Sequence, residues 1–177
     1  TGILFAALMR GRARGPAIAG ALESMRQSSG TIARVMRTCD PSAATDVTGF
    51  GLAGHLLEML RAGGVVAELD LSRLPLYGSV GALARDGIAS SLVPENSRLA
   101  SALVGDRVGD AHVRAILFDP QTAGGFLFGV AADDAEACVE ALRQAGAHHA
   151  AIIGAVLGRH EGGEQWLRLT GALPEGL

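Results

Sequence analysis

Residues 44–55, Ala44-Thr45-Asp46-Val47-Thr48-Gly49-Phe50-Gly51-Leu52-Ala53-Gly54-His55, hold the clearest punctuation in the chain. Ala43 to Val47 suits a short strand, and a glycine-bearing turn follows at once. A helix then begins, with Leu52, Leu56, Met59 and Leu60 as its apolar set. Helix N-termini present free N–H groups and partial positive charge, so anions dock there. Asp46, a hard oxygen donor beside such a site, can hold Mg²⁺ that bridges to a phosphate. Gly49 and Gly51 let the backbone approach a ligand closely. The local sequence leaves a second account open, in which Asp46 or Thr48 only caps the helix and the glycines only permit the turn. Capping is the commoner use of such residues.

Working outward, the apolar run 2–9 (GILFAALM) predicts a buried strand, although Ala and Leu also suit a helix. Pro16 opens a helix over 16–28 with Ile18, Leu22 and Met25 on one face. Thr31 is placed to cap a second helix with Ile32, Val35 and Met36 inward. Pro41 ends that helix. Downstream, Gly63-Gly64 stops the helix that follows Gly51. A strand over 65–71, a helix over 76–86, a polar loop at Pro94-Glu95-Asn96 and a helical stretch over 97–104 follow. Residues 105–116 hold a loop and a short helix or strand. A turn-rich loop over 118–125 leads into a buried strand over 126–131. Asp133 is placed to cap a helix to Ala145. A strand over 150–157, a glycine turn at 161–163 and a strand over 165–169 complete the chain as an apparent hairpin. This mixture predicts an α+β fold, a mixed β-sheet flanked by helices, and not a strict βα repeat.

Composition narrows the function. The chain has 177 residues, 49% of them apolar, which suits one domain with its own core and excludes a disordered chain. The net charge is −3 with no long basic run, which argues against nucleic-acid binding. No apolar run reaches the roughly 18 residues that span a bilayer, so no membrane association is expected. Cys39 and Cys138 are far apart and belong to no CxxC pair. They suggest neither a disulfide framework nor a zinc site, and a reducing, cytoplasmic setting is expected. His148, His149 and His160 lack partners at ligand spacing. His55 reads more simply as a satisfied histidine than as a functional one.

The loop Phe118-Asp119-Pro120-Gln121-Thr122-Ala123-Gly124-Gly125 is a second candidate. Its short polar side chains and paired glycines could form an anion nest, or simply an Asp-Pro turn. It is neither a Walker A loop nor a dinucleotide fingerprint.

Taken as whole strings, the two segments say more. Residues 45–55 resemble the DVTGFGLxGH signature of the selenide, water dikinases, or selenophosphate synthetases, of the AIR synthetase-related superfamily. Residues 118–125 resemble the FDPQTSGG loop of the same family. The opening Thr1-Gly2 is similar to the family segment that follows KPLGTG. The resemblance implies that residues 1–177 are a single C-terminal domain of a larger two-domain enzyme, a three-layer α/β/α fold whose N-terminal, ATP-binding half is absent. It implies the conversion of ATP, selenide and water to selenophosphate, AMP and phosphate in a homodimer. By the same resemblance Asp46 is a Mg²⁺ ligand. Thr48, Gly49, Phe50 and Gly51 then shape the turn beside it, and Asp119, Gln121, Thr122, Gly124 and Gly125 form a motif facing the same cleft, all nine as cofactor-binding residues. The family's catalytic Cys or selenocysteine and its Lys have no counterpart here, so no catalytic residue is expected in this chain and the fragment alone is expected to be inactive. Ala123 stands where the family more often has Ser, and the stretch 94–98 lacks the glycines often found there. The competing expectations are a non-catalytic binding or dimerisation module in a fusion protein, and another ATP-dependent enzyme of the superfamily.

Overall fold

The computed structural model describes residues 1–174. The chain runs α1 (Gly2–Met9), α2 (Gly15–Arg26), α3 (Gly30–Thr38), β1 (Ala43–Asp46), α4 (Gly51–Gly63), β2 (Val65–Asp70), α5 (Val80–Arg85), α6 (Val93–Asn96), β3 (Leu103–Val104), α7 (Ala111–Leu117), β4 (Phe126–Gly129), α8 (Ala135–Gln144), β5 (Gly154–Arg159) and β6 (Leu167–Thr170). Four strands form a mixed sheet in the order β3-β6-β2-β5, and β1 and β4 form a separate two-stranded ribbon. In the larger sheet β2 runs antiparallel to β5 and parallel to β6, while β3 runs parallel to β6. The core draws on Leu57 of α4, Leu69 of β2, Val113 and Leu117 of α7 and Leu167 of β6, with Phe118 beside them. The α+β class and mixed sheet expected from the sequence are what the chain adopts.

Several local expectations are corrected. Residues 2–9 form a helix and not a strand. The segment is apolar on every side, so no period separates the two forms, and its Ala and Leu content favours the helix. Ile3, Leu4 and Ala7 are fully buried there. In α2 the buried face holds Ile18 and Ala21, while Leu22 is exposed. Ser29, not Thr31, occupies the N-cap position of α3, and its side chain makes no capping bond. Pro94-Glu95-Asn96 lies in a short helix and not in a loop, as Pro suits a first helical turn. Residues 132–134 form a 3-10 turn, so α8 starts after Asp134 and Asp133 is not its cap. The closing strands form no hairpin, because β5 and β6 lie on opposite sides of β2.

The end of α4 follows the sequence closely. Gly64 adopts φ +61°, the left-handed conformation that ends a helix without a Cβ clash, and β2 starts at the next residue. At its other end α4 presses against α7. Gly51 has φ +72°, and a Cβ there would come within 2.6 Å of the Phe118 carbonyl carbon, so only glycine allows this approach.

The first turn of α1 rests on the second motif loop. The Thr1 backbone nitrogen lies 3.0 Å from Asp119 Oδ2 and 2.8 Å from Gln121 Oε1. Thr1 Oγ1 accepts from the Thr122 N–H at 2.9 Å, and the Gly2 N–H donates to the Pro120 carbonyl. Asp119 is only 3% exposed. Burial pushes its carboxyl above the ordinary value of 3.8, against the opposing pull of hydrogen bonds from the Ile3 N–H and the Gln121 side chain.

The structure also overturns the expectation of two independent cysteines. Cys39, at the end of α3, is joined in a disulfide to Cys138 of α8, with their Cα atoms 5.8 Å apart. The bond spans 99 positions and ties an otherwise exposed helix to the body.

Two outcomes follow for stability. A cross-link closing so long a loop contributes about 2–5 kcal/mol, so a dithiol reductant or Cys138→Ala should lower the melting temperature by roughly 5–15 °C, read by circular dichroism. A carboxyl with a raised value binds its proton more tightly in the folded than in the unfolded chain. Its stabilising contribution is therefore full below 3.8 and is lost as pH rises through the raised value. The melting temperature of the wild type minus that of Asp119→Asn should fall as pH rises from below 3.8 toward neutrality, and a flat difference would refute the assignment.

Candidate active site

The ribbon of β1 and β4 brings the two motif loops together. Its register sets Ala43 opposite Gly129 and Asp46 opposite Phe126, which delivers Asp46 to the end of the ribbon from which both loops spring. Beyond the strands the pairing continues. The Val47 N–H donates to the Gly125 carbonyl at 2.9 Å, and the Gln121 N–H donates to the Thr48 carbonyl at 3.0 Å. Gly124 packs so closely on the Val47 carbonyl that a side chain there would collide with it.

An open cleft of about 390 Å³ lies at this junction, lined in part by Asp46, Thr48, Ala123, Gly124, Ser29 and Met36. Of the ten site residues expected from the sequence, the structure places Asp46, Thr48 and Gly124 on its wall. Asp46 is exposed to it. Gly49 and Phe50 form the exposed turn alongside, and Gly51 is buried at the helix start. Asp119, Gln121 and Thr122 are turned toward the first turn of α1, and Gly125 serves through its carbonyl. The loop of 118–125 therefore has two sides, one anchoring α1 and the other lining the cleft through Ala123 and Gly124. Ala123 holds φ +49°, a left-handed conformation uncommon for a residue with a Cβ.

The capping account of Asp46 and Thr48 does not hold. Phe50 occupies the N-cap position of α4, and no side chain caps that end. The Thr48 hydroxyl instead lies 3.0 Å from Nε2 of His55. His55 Nδ1 lies 3.0 Å from Glu58 Oε2. The imidazole is buried, 8% exposed, beneath the Phe50 ring at 5.5 Å between centroids. Asn96 is a second residue that the sequence did not single out. It is buried, and its Nδ2 donates to the Gly49 carbonyl at 2.8 Å and to the Phe118 carbonyl at 3.1 Å, clamping the two loops across α6. The available signals were the helical spacing of His55 and Glu58 and one amide in a polar stretch, neither of which discloses a partner 47 positions away.

The donor set suits a magnesium ion in part. Asp46 is the one carboxylate on the cleft wall, and among the described residues no group of three His, Cys, Asp or Glu side chains could hold a metal by itself. Mg²⁺ keeps several waters and commonly takes one or two carboxylates plus substrate phosphates, so one exposed carboxylate in an open cleft fits that mode.

Comparison with known proteins gives the chain a family. Residues 16–167 match the family model described as AIR synthase related protein, C-terminal domain. Among curated proteins, the selenide, water dikinase of Geobacter metallireducens is 35% identical over 154 residues, covering 87% of this chain and 45% of that protein. That of Caldanaerobacter subterraneus is 33% identical over 141 residues, or 80% and 41% of the two chains. That of Myxococcus xanthus is 43% identical over 120 residues, or 65% and 33%. The chain thus spans less than half the length of these relatives. It belongs to the family of AIR synthase related C-terminal domains.

Proposed function

We propose that this chain is the C-terminal domain of an ATP- and Mg²⁺-dependent selenide, water dikinase, which converts ATP, selenide and water to selenophosphate, AMP and phosphate. The observation that carries the proposal is the cleft in which the zipped motif loops set Asp46, Thr48 and Gly124 side by side. Its relatives named for that activity support it. The catalytic Cys or selenocysteine and the Lys belong to the N-terminal half in this proposal, so the chain acts only together with that half, in a homodimer.

Phosphoryl transfer asks a protein chiefly for positioning and charge neutralisation. Asp46 holds Mg²⁺ in this scheme, with Thr48 adding a neutral oxygen beside it. Such an ion would supply charge neutralisation for the substrate phosphates, held by Asp46. Gly124, lacking a side chain, lets a phosphate approach the loop backbone. Asn96, Gln121 and Gly51 hold the two loops at the spacing the cleft requires.

Phosphorus NMR of the chain joined to its N-terminal half, with ATP, Mg²⁺ and selenide, tests the proposal. Selenophosphate and AMP are expected. Asp46→Asn should lower their rate of formation by about 100-fold or more while the protein folds normally, because the exposed side chain contributes to the cleft and not to the core. ATP left intact, or activity of Asp46→Asn with an unchanged Mg²⁺ requirement, would overturn it.

A further inference from the structure

The Thr48–His55–Glu58 array runs from the cleft wall through a buried ring to solvent. Glu58 is 58% exposed, whereas the ring is nearly enclosed. A carboxylate can only accept, so the hydrogen bond at Glu58 places a proton on Nδ1 of His55. In the neutral ring Nε2 then carries the lone pair, and the partner at 3.0 Å must donate to it. That partner is the Thr48 hydroxyl, whose single proton is thereby committed away from the cleft. Its oxygen is left with lone pairs only, next to the Asp46 carboxylate on the same wall.

We propose that His55 is a positioning residue: held in the Nδ1–H form by Glu58, it accepts a hydrogen bond from the Thr48 hydroxyl at Nε2 and so leaves Thr48 Oγ1 with lone pairs that face a cation or its bound water in the cleft. A freely rotating threonine would present its proton to the site part of the time. It would then compete for phosphate oxygens and oppose a cation. The array removes that option from the side of the helix, without adding a charge to the cleft. Carboxylate–imidazole pairs support metal sites from behind in the same way, by fixing ring tautomer and orientation. The ring arrangement stands on the distances alone. Its consequence for a cation rests on the proposed function.

Two measurements separate those levels. Nitrogen-15 chemical shifts of the His55 ring, taken on the labelled 177-residue chain where the imidazole is neutral, should show a protonated Nδ1 and a bare Nε2. Glu58→Ala should erase that bias, and Thr48→Val should move the Nε2 resonance while leaving Nδ1 protonated. A dominant Nε2–H form, or an Nε2 resonance indifferent to Thr48→Val, overturns the role of His55. In the assembled enzyme, Glu58→Ala and Thr48→Val should raise the Mg²⁺ concentration for half-maximal turnover by about tenfold, and Thr48→Ser should restore it. Unchanged Mg²⁺ dependence in both variants, with Asp46→Asn strongly affected, overturns the positioning role and leaves the cation site standing. Unchanged dependence in Asp46→Asn overturns the cation site itself.

Discussion

The hydrogen bond from the Gln121 N–H to the Thr48 carbonyl joins segments that are distant in sequence, and the cleft depends on it. With the neighbouring Val47–Gly125 bond it extends the β1–β4 ribbon past the last strand residues, so the two loops leave the ribbon as one layer. Backbone pairing of this kind is insensitive to side-chain identity. It leaves Asp46, Thr48 and the strained Ala123 free to be chosen for what they do in the cleft. Burial ensures that the pairing is kept, because an unpaired amide beside Val47 would have no water to replace its partner.

The same loop of 118–125 serves opposite needs on its two sides. Facing α1 it is polar, with Asp119, Gln121 and Thr122 all engaged by Thr1. Facing the cleft it presents Ala123 and Gly124, which have almost nothing to offer except backbone. A motif that is dense in polar residues thus spends most of them on holding its own shape. What remains for a ligand is geometry: a glycine, a left-handed alanine and the carboxylate delivered by β1.

The helix from Gly51 to Gly63 and the strand after it were legible because glycine and the apolar period act locally there. The strand β1 and the loop of 118–125 were legible as whole strings for the same reason. The segment 2–9 was not, since eight apolar residues carry no period to separate strand from helix. The absent hairpin has another cause: β5 and β6 are separated from each other by β2, a choice made by the sheet and not by the turn between them. Within the site, Asp46 could be marked from sequence. The capture of Thr48 by His55, and the clamp of Asn96 on Gly49 and Phe118, required the fold, because each pairs a common side chain with a partner that spacing does not indicate.

The Cys39–Cys138 bond has a topological consequence apart from any stabilising effect. It closes residues 39–138 into a covalent ring, and that ring contains β1, α4, α7, β4 and both motif loops. A single backbone cut anywhere inside it leaves every part of the cleft on one connected molecule. The segments outside the ring, α1 to α3 and the chain beyond Cys138, attach to it as two tails. The oxidised molecule is therefore a loop that carries the chemistry, with its surroundings appended at one covalent knot.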